Sequence, residues 1–154
     1  KNLQLHMLGK LQTNKVKAAV KLFNYIHSLD SGKLAMKLCL YQKELNKNIK
    51  LFIQVNLANE SQKSGILPNL ASDFIQYCIH TLKLNVIGLM CLPPVRDDPR
   101  PHFLMLKELA FKNQLKQLSM GMSSDYKIAV DSGATFIRIG SSFFGDRDIQ
   151  NGGI

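Results

Sequence analysis

The sequence predicts an α/β fold in which parallel strands alternate with helices. Six short stretches are apolar almost throughout, and segments with the composition of amphipathic helices separate them. Strands that are apolar on both faces are typical of parallel sheets covered by helices. No repeat, linker or low-complexity stretch interrupts this alternation. We therefore predict one domain over residues 1–148, followed by a disordered tail at residues 149–154.

The first half of the chain contains three of the strand candidates. LFIQVNLA is the clearest of them, and a polar loop, NESQKSGI, follows it. Asp30 or Ser31 is placed to cap a helix that runs to about Asn46, because a short polar side chain accepts a free amide at a helix start. The predicted strands here are residues 3–9, 23–30 and 51–58, and the predicted helices are residues 13–22 and 31–46.

The second half repeats the pattern. LNVIGLMCL is a strand that ends at Pro93 and Pro94, and a loop rich in proline, aspartate and arginine follows it. SSDYKIAVDSG has the composition of a capped helix that ends at a glycine. The predicted strands here are residues 84–92, 115–120 and 134–140, and the predicted helices are residues 69–82, 101–112 and 123–133.

Two parallel architectures accommodate six strands. A doubly wound sheet binds phosphate at its first βα turn through a GxGxxG motif, which this sequence lacks. A (β/α)8 barrel of the TIM type binds phosphate after its seventh and eighth strands. Here SMGMSSDY (119–126) and RIGSSFFG (138–145) follow the last two predicted strands. Because 154 residues fall below the roughly 200 of a small barrel, we predict an incomplete barrel of the last six βα units, with the first two missing.

Composition argues against several functional classes. The net charge is +9, but the lysines are dispersed and no nucleic-acid motif accompanies them, so we expect no nucleic-acid partner. Three scattered cysteines without CxxC spacing argue against a disulfide framework or a metal site and favour the cytoplasm. No apolar run of membrane-spanning length and no signal peptide is apparent. The chain starts with lysine and an apolar stretch follows at once, so we expect a missing upstream segment.

The two Gly/Ser segments have the residue types of a phosphate cradle. Gly121 allows a sharp turn after a strand, and Ser123 offers a hydroxyl at a helix start, where free amides favour anions. Gly140 would let a ligand approach the backbone, where the amides of residues 140–142 form a concave nest. Ordinary helix capping by Ser124 or Asp125 and a simple loop turn at Gly140 explain the same spacing, and spacing alone leaves both interpretations open.

Two further polar residues interrupt apolar strands. Arg138 lies within FIRIG, where a buried charge needs a partner. It either pairs with a structural carboxylate or points into the barrel mouth at a ligand. His6 lies in the first strand and is either a packed core ring or a ligand contact.

With these residues assembled, the sequence resembles the pyridoxal phosphate homeostasis protein family, whose barrel is similar to the N-terminal domain of alanine racemase. The similarity runs along the whole chain in order. HMLGKLQTNK, QVNLANESQKSGI, the Gly88–Met90 tripeptide GLM, LSMGMSSDY and RIGSSFFG each resemble a family segment. The last two are nearly identical to the family pattern.

The resemblance implies a site for pyridoxal 5′-phosphate (PLP). Ser123, Gly140 and Ser141 would bind the phosphate, with further donors from the same segments, Met122 included. Arg138 would face the pyridine nitrogen, which keeps that nitrogen unprotonated and weakens the cofactor as an electron sink. His6 would lie near the ring.

One departure from the family pattern affects the expected chemistry. The family's Schiff-base lysine lies on the first barrel strand, which has no counterpart here, and Lys10, Lys15 and Lys63 do not replace it. We therefore expect non-covalent PLP binding at best, in a non-catalytic protein of vitamin B6 homeostasis. The alternatives are a racemase-like enzyme and a non-functional gene remnant. We expect a monomer, with a complementary N-terminal fragment as a candidate partner for the open strand edges.

Overall fold

The computed structural model describes residues 3–58, 64–95 and 97–145. Six strands form one sheet in which every neighbouring pair is parallel and the strand order follows the chain order. A doubly wound sheet would reverse its strand order at a switch point, so consecutive order identifies the barrel type. The strands are β1 (His6–Met7), β2 (Tyr25–Leu29), β3 (Lys50–Val55), β4 (Val86–Cys91), β5 (Gln117–Met122) and β6 (Phe136–Arg138).

The sheet curls into an arc. The rings of His6 on β1 and Phe136 on β6 have centroids only 5.9 Å apart, although four strands separate them in the sheet. A flat sheet would keep strands five positions apart more than 20 Å from each other, at about 4.8 Å per strand. The predicted incomplete barrel is therefore confirmed.

Helices connect successive strands, as the alternation predicted. A π-helical turn at Tyr77–Thr81 extends the third helix, and a short sixth helix that the sequence pattern did not indicate follows β6. The α-helices are α1 (Val16–Leu22), α2 (Gly32–Glu44), α3 (Pro68–Gln76), α4 (Pro99–Lys112), α5 (Tyr126–Asp131) and α6 (Ser141–Phe144).

Most differences from the predicted boundaries have local causes. The first strand is two residues long rather than seven, because only His6 and Met7 pair with β2. The second helix ends at Glu44, and Asn46 takes a positive φ of 48° just beyond it. The fourth helix begins at Pro99 rather than residue 101, because the Asp98 carboxylate accepts the Arg100 amide at 3.0 Å. Ser31 rather than Asp30 caps α2 by accepting the amide of Leu34. The predicted tail at residues 149–154 lies outside the described residues.

The strand side chains divide between two cores. Residues facing outward, such as Ile26, Ile53 and Leu89, pack against the helices in the larger core. Residues facing inward form a small second cluster in the barrel interior, of Tyr25, Phe52 and Met90 with Ile87 and Phe136 packed against them. The period of two along each strand produces this division. The polar groups described below share the interior with this second cluster.

Candidate functional site at the carboxyl ends of β5 and β6

The two Gly/Ser segments meet where β5 and β6 end. Ser123 comes directly after β5, and Gly140 lies two residues after β6, its paired neighbour. The Gly140 amide donates to the Ser123 hydroxyl at 3.2 Å, so one hydrogen bond joins the segments. Gly140 also immediately precedes α6, whose first turn supplies further backbone amides, including that of Ser141. The side chain of Ser141 lies outside the described part of the chain.

The structure accounts for glycine at these two positions in different ways. Gly121 has a φ of +91°, and a Cβ there would lie 2.5 Å from the Cβ of Ala129, so the turn after β5 requires glycine. At Gly140 a Cβ would meet no atom within 4 Å. The described residues therefore give no steric reason for glycine at this position. Open space beside the Ser123 hydroxyl is what a ligand approaching the backbone would need.

Asp125 does not cap α5 with its side chain. Although it occupies the N-cap position, its carboxylate accepts the amide of Met122 and makes no capping hydrogen bond. This contact ties the end of β5 to the start of α5. The simple helix-capping interpretation is thus wrong for Asp125. Met122 ends β5 and is about half exposed.

Arg138 has neutral hydrogen-bonding partners among the described residues, so the first of its two alternatives, pairing with a structural carboxylate, is wrong. Its Nη1 donates to the hydroxyl of Ser119 at 2.8 Å, and its Nη2 donates to the carbonyl of Cys91 at 2.9 Å. Burial lowers the pKa of the guanidinium, while Cys91 and Asp125 oppose this effect. A buried cation without a bonded carboxylate retains much of its field for a ligand.

A cavity of about 420 Å³ lies beside Arg138. Gly121, Met122 and Asp125 form one side of it, and the proline-rich segment after β4 forms the other. No lysine is among the described residues that line it. Lys10 instead lines a separate cavity at the ends of β1 and β3, and Lys63 lies outside the described residues.

His6 belongs to a group of interior rings that the sequence did not reveal. It stacks on Tyr25 with centroids 4.1 Å apart and planes inclined by 5°. Its Nδ1 lies 3.0 Å from Nε2 of His27, which stacks on Phe52 at 4.3 Å. Burial lowers the pKa of His6. His6 is therefore half-buried: its ring packs against Tyr25, and its Nδ1 also makes a polar contact with His27.

His27 is the residue that sequence reasoning missed. No motif in the sequence marks it, but its Nδ1 lies 2.8 Å from the Ser119 hydroxyl, which also accepts the hydrogen bond from Arg138. Burial, and then the neighbouring His6 and Arg138, lower the pKa of His27 to about 3. The sequence did contain a usable signal: Tyr25 and His27 are two residues apart in an apolar strand, so their side chains lie on the same face of the sheet.

Other chemistry is limited within the part of the chain that the structure describes. Burial raises the pKa of the Cys78 and Cys91 thiols to about 12, so neither forms a thiolate near neutral pH. No group of three histidine, cysteine or acidic side chains among these residues could hold a metal ion. None of the described helices is long and apolar enough to cross a membrane.

Comparison with known proteins assigns the chain to a family. The model of the alanine racemase N-terminal domain matches residues 2–148. The pyridoxal phosphate homeostasis protein of Aquifex aeolicus is 39% identical over 157 residues, which cover 95% of this chain and 68% of that protein. This chain belongs to the pyridoxal phosphate homeostasis protein family. It spans about two thirds of the length of such relatives.

Solved structures of this family support the assignment. PipY of Synechococcus elongatus without PLP has 37% identity and a TM-score of 0.87, over 93% of this chain and 71% of PipY. PipY with PLP bound has 35% identity and a TM-score of 0.84, over 94% of this chain and 72% of PipY. The six-stranded arc therefore corresponds to most of a family barrel, and the family resemblance inferred from the motifs is confirmed.

Proposed function

We propose that this chain binds PLP and acts in vitamin B6 homeostasis without catalysing a reaction. The observation that carries the proposal is the Ser123–Gly140 hydrogen bond, with open space where a Gly140 side chain would be. The names of the family relatives and the PLP-bound PipY supply the identity of the ligand.

The roles of the site residues follow from their chemistry. The Ser123 hydroxyl and the amide of Ser141 donate to the phosphate, since hydroxyls and free amides near a helix start favour anions. Gly140, whose own amide donates to Ser123, lets the phosphate approach the backbone. Met122 borders the same site. Arg138, a buried cation that keeps donor capacity beyond its two hydrogen bonds, meets the pyridine nitrogen. His6 lies towards the ring from β1.

Binding is non-covalent in this proposal. No lysine borders the cavity beside Arg138 among the described residues, so nothing there would capture the cofactor aldehyde. When bound, PLP supplies an aldehyde and an electron-accepting ring, and the protein supplies only binding and orientation. The described residues around this cavity include no lysine or tyrosine base of the kind that racemisation needs, which favours cofactor handling over a racemase activity.

Titration with PLP and with pyridoxal tests the proposal. We expect saturable PLP binding, followed by visible circular dichroism, and much weaker binding of pyridoxal, because the phosphate supplies most of the contacts. Ser123→Ala should weaken PLP binding by about tenfold or more, since it removes a hydrogen bond to a charged group. Gly140→Leu should also weaken it, because the leucine fills the open space.

Two matched variants serve as controls. Ser72→Ala removes a serine hydroxyl on α3 that accepts a hydrogen bond from Asn113, far from the proposed site. Gly32→Leu adds a side chain at another glycine whose Cβ would meet nothing within 4 Å. Both should bind PLP like the unaltered chain. Equal affinity for PLP and pyridoxal, with scattered lysine labelling after borohydride reduction, would contradict the proposal.

A further inference from the structure

A chain of hydrogen bonds crosses the barrel interior from β6 to β1. It runs from Arg138 to Ser119 at 2.8 Å, from Ser119 to His27 at 2.8 Å, and from His27 to His6 at 3.0 Å. Ser119 is fully buried, and His27 is only 1% exposed. Water therefore does not compete for the Ser119–His27 bond at the centre of the chain, and the positions of its protons are set by the neighbouring protein groups.

The chemistry of the partners gives the chain a direction. A guanidinium has no acceptor, so Arg138 donates to the Ser119 oxygen. The serine has one proton left to donate, and among the described residues His27 Nδ1 is the acceptor within reach. A neutral His27 that accepts at Nδ1 carries its proton on Nε2, which then donates to Nδ1 of His6. His6 in turn keeps its own proton on Nε2.

If the Ser119–His27 hydrogen bond ran in the opposite direction, the Ser119 proton would be left without an acceptor. If His27 donated from Nδ1, the Ser119 oxygen would receive two donors, and its own proton would lack an acceptor among the described residues. A buried hydroxyl proton without an acceptor is unfavourable, because it has lost its hydrogen bond to water and gained none in return.

The interior is also arranged to keep His27 neutral. Phe52 stacks on one face of its ring, and the edge of Phe136 faces it from β6. Among the described residues, the ionisable groups near its ring are His6 on β1, Tyr25 on its own strand and Arg138 on β6. The neighbours that influence its pKa, His6 and Arg138, both disfavour a positive charge on His27.

We propose that Ser119 and His27 are positioning residues for the cofactor: they align Arg138 and fix His6 as a donor from Nε2. His6 then presents that N–H to an acceptor group of the bound ligand. The chain of bonds is a property of the ligand-free protein, whereas its effect on PLP rests on the function proposed above.

Nitrogen-15 NMR of the histidine rings in the ligand-free chain tests the direction of the bonds. At neutral pH we expect His27 and His6 both to carry the proton on Nε2. Ser119→Ala should leave His27 as a mixture of tautomers, because the acceptor role of Nδ1 is lost. A proton on Nδ1 of His27, or a charged His27, would overturn the proposal without any reference to PLP.

Substitutions of His27 test the effect on the cofactor. His27→Phe preserves a ring against Phe52 but removes the acceptor, and it should weaken PLP binding by about tenfold. His27→Asn places an amide oxygen near the position of Nδ1 and should restore the part of that affinity that depends on Ser119 and Arg138, whereas the Nε2–H that donates to His6 is not replaced. In both variants the preference for PLP over pyridoxal should persist, because the phosphate contacts are intact.

The outcomes separate this inference from the proposed function. Affinity unchanged in His27→Phe, or equally low in His27→Phe and His27→Asn while both fold, would overturn the positioning role and leave PLP binding in place. If His27→Phe does not fold, the tautomer measurement and the affinity of Ser119→Ala decide the question. If the unaltered chain bound PLP and pyridoxal with equal affinity, that result would instead count against the proposed function.

Discussion

Single residues in the barrel interior carry more polarity than the apolar strands suggest. Ser119, His27 and Arg138 each lie among aromatic and aliphatic side chains, yet each has a hydrogen-bonding partner at 2.8 Å. Burying these groups without partners would cost several kcal/mol, so they depend on one another. This mutual dependence makes the interior sensitive to protonation.

The stability of the chain should depend on pH through His27. Its pKa is about 3 in the folded protein and 6.5 in the unfolded chain, so between these values only the unfolded chain binds the proton. Stability is therefore complete above pH 6.5 and falls as the pH decreases towards 3. Between pH 6.5 and about pH 5 we expect a loss of about 1–2 kcal/mol.

Urea unfolding at several pH values checks this prediction. His27→Asn should lose stability less steeply over this range, because the residue that binds the extra proton on unfolding is absent. If the variant and the unaltered chain lost stability equally as the pH fell, His27 would have its ordinary pKa in the folded chain, and the prediction would be wrong.

Among the elements, the β5–α5 turn is the most tightly constrained part of the site. Gly121 has a positive φ and closely approaches both Ala129 and the backbone of Tyr126. The turn places Ser123 beside Gly140, so packing of α5 against β5 sets the geometry of the proposed phosphate site.

Gly121→Ala should destabilise the chain. The added methyl would lie 2.5 Å from the Ala129 Cβ, and alanine disfavours the left-handed conformation. We expect a loss of about 2 kcal/mol or more in the free energy of unfolding, measured by urea titration. Gly32→Ala, in open space at the first position of α2, should be neutral or slightly stabilising. Equal stability of the two variants would contradict the packing argument.

At the scale of the whole molecule, the arc of six strands has two edges. Within the described residues, β1 and β6 each pair along one side only. Beyond β6, Phe143 and Phe144 are 79% and 82% exposed. Unpaired strand edges and exposed aromatic rings are surfaces that other strands and helices cover in a closed barrel.

We predict that the third of a family relative that this chain does not match binds it in trans. At a concentration about 100 times its dissociation constant, such a segment contributes about 2.7 kcal/mol. This should raise the melting temperature by about 5–10 °C. The matched two thirds of the same relative serves as the control and should have no such effect. An unchanged melting temperature with the unmatched third would contradict the prediction.

The sequence by itself determined the fold class and the positions of the two Gly/Ser segments, because both depend on local signals. Apolar strands such as LFIQVNLA indicate a parallel sheet, and the glycines and serines after the last two strands mark their turns. The two-residue length of β1 and the cap at Asp98 depended on which backbone groups find partners, so the predicted boundaries missed them.

Only the tertiary structure decided that His27, Ser119 and Arg138 meet. Alternation along a strand predicts which residues face inward, but contact between strands three positions apart, such as β2 and β5, depends on register and on the curl of the sheet. Both properties arise from the packing of all six strands and their helices. The serine partner of Arg138 was hidden for the same reason, since burial in a shared interior, rather than opposite charge in the sequence, selects it.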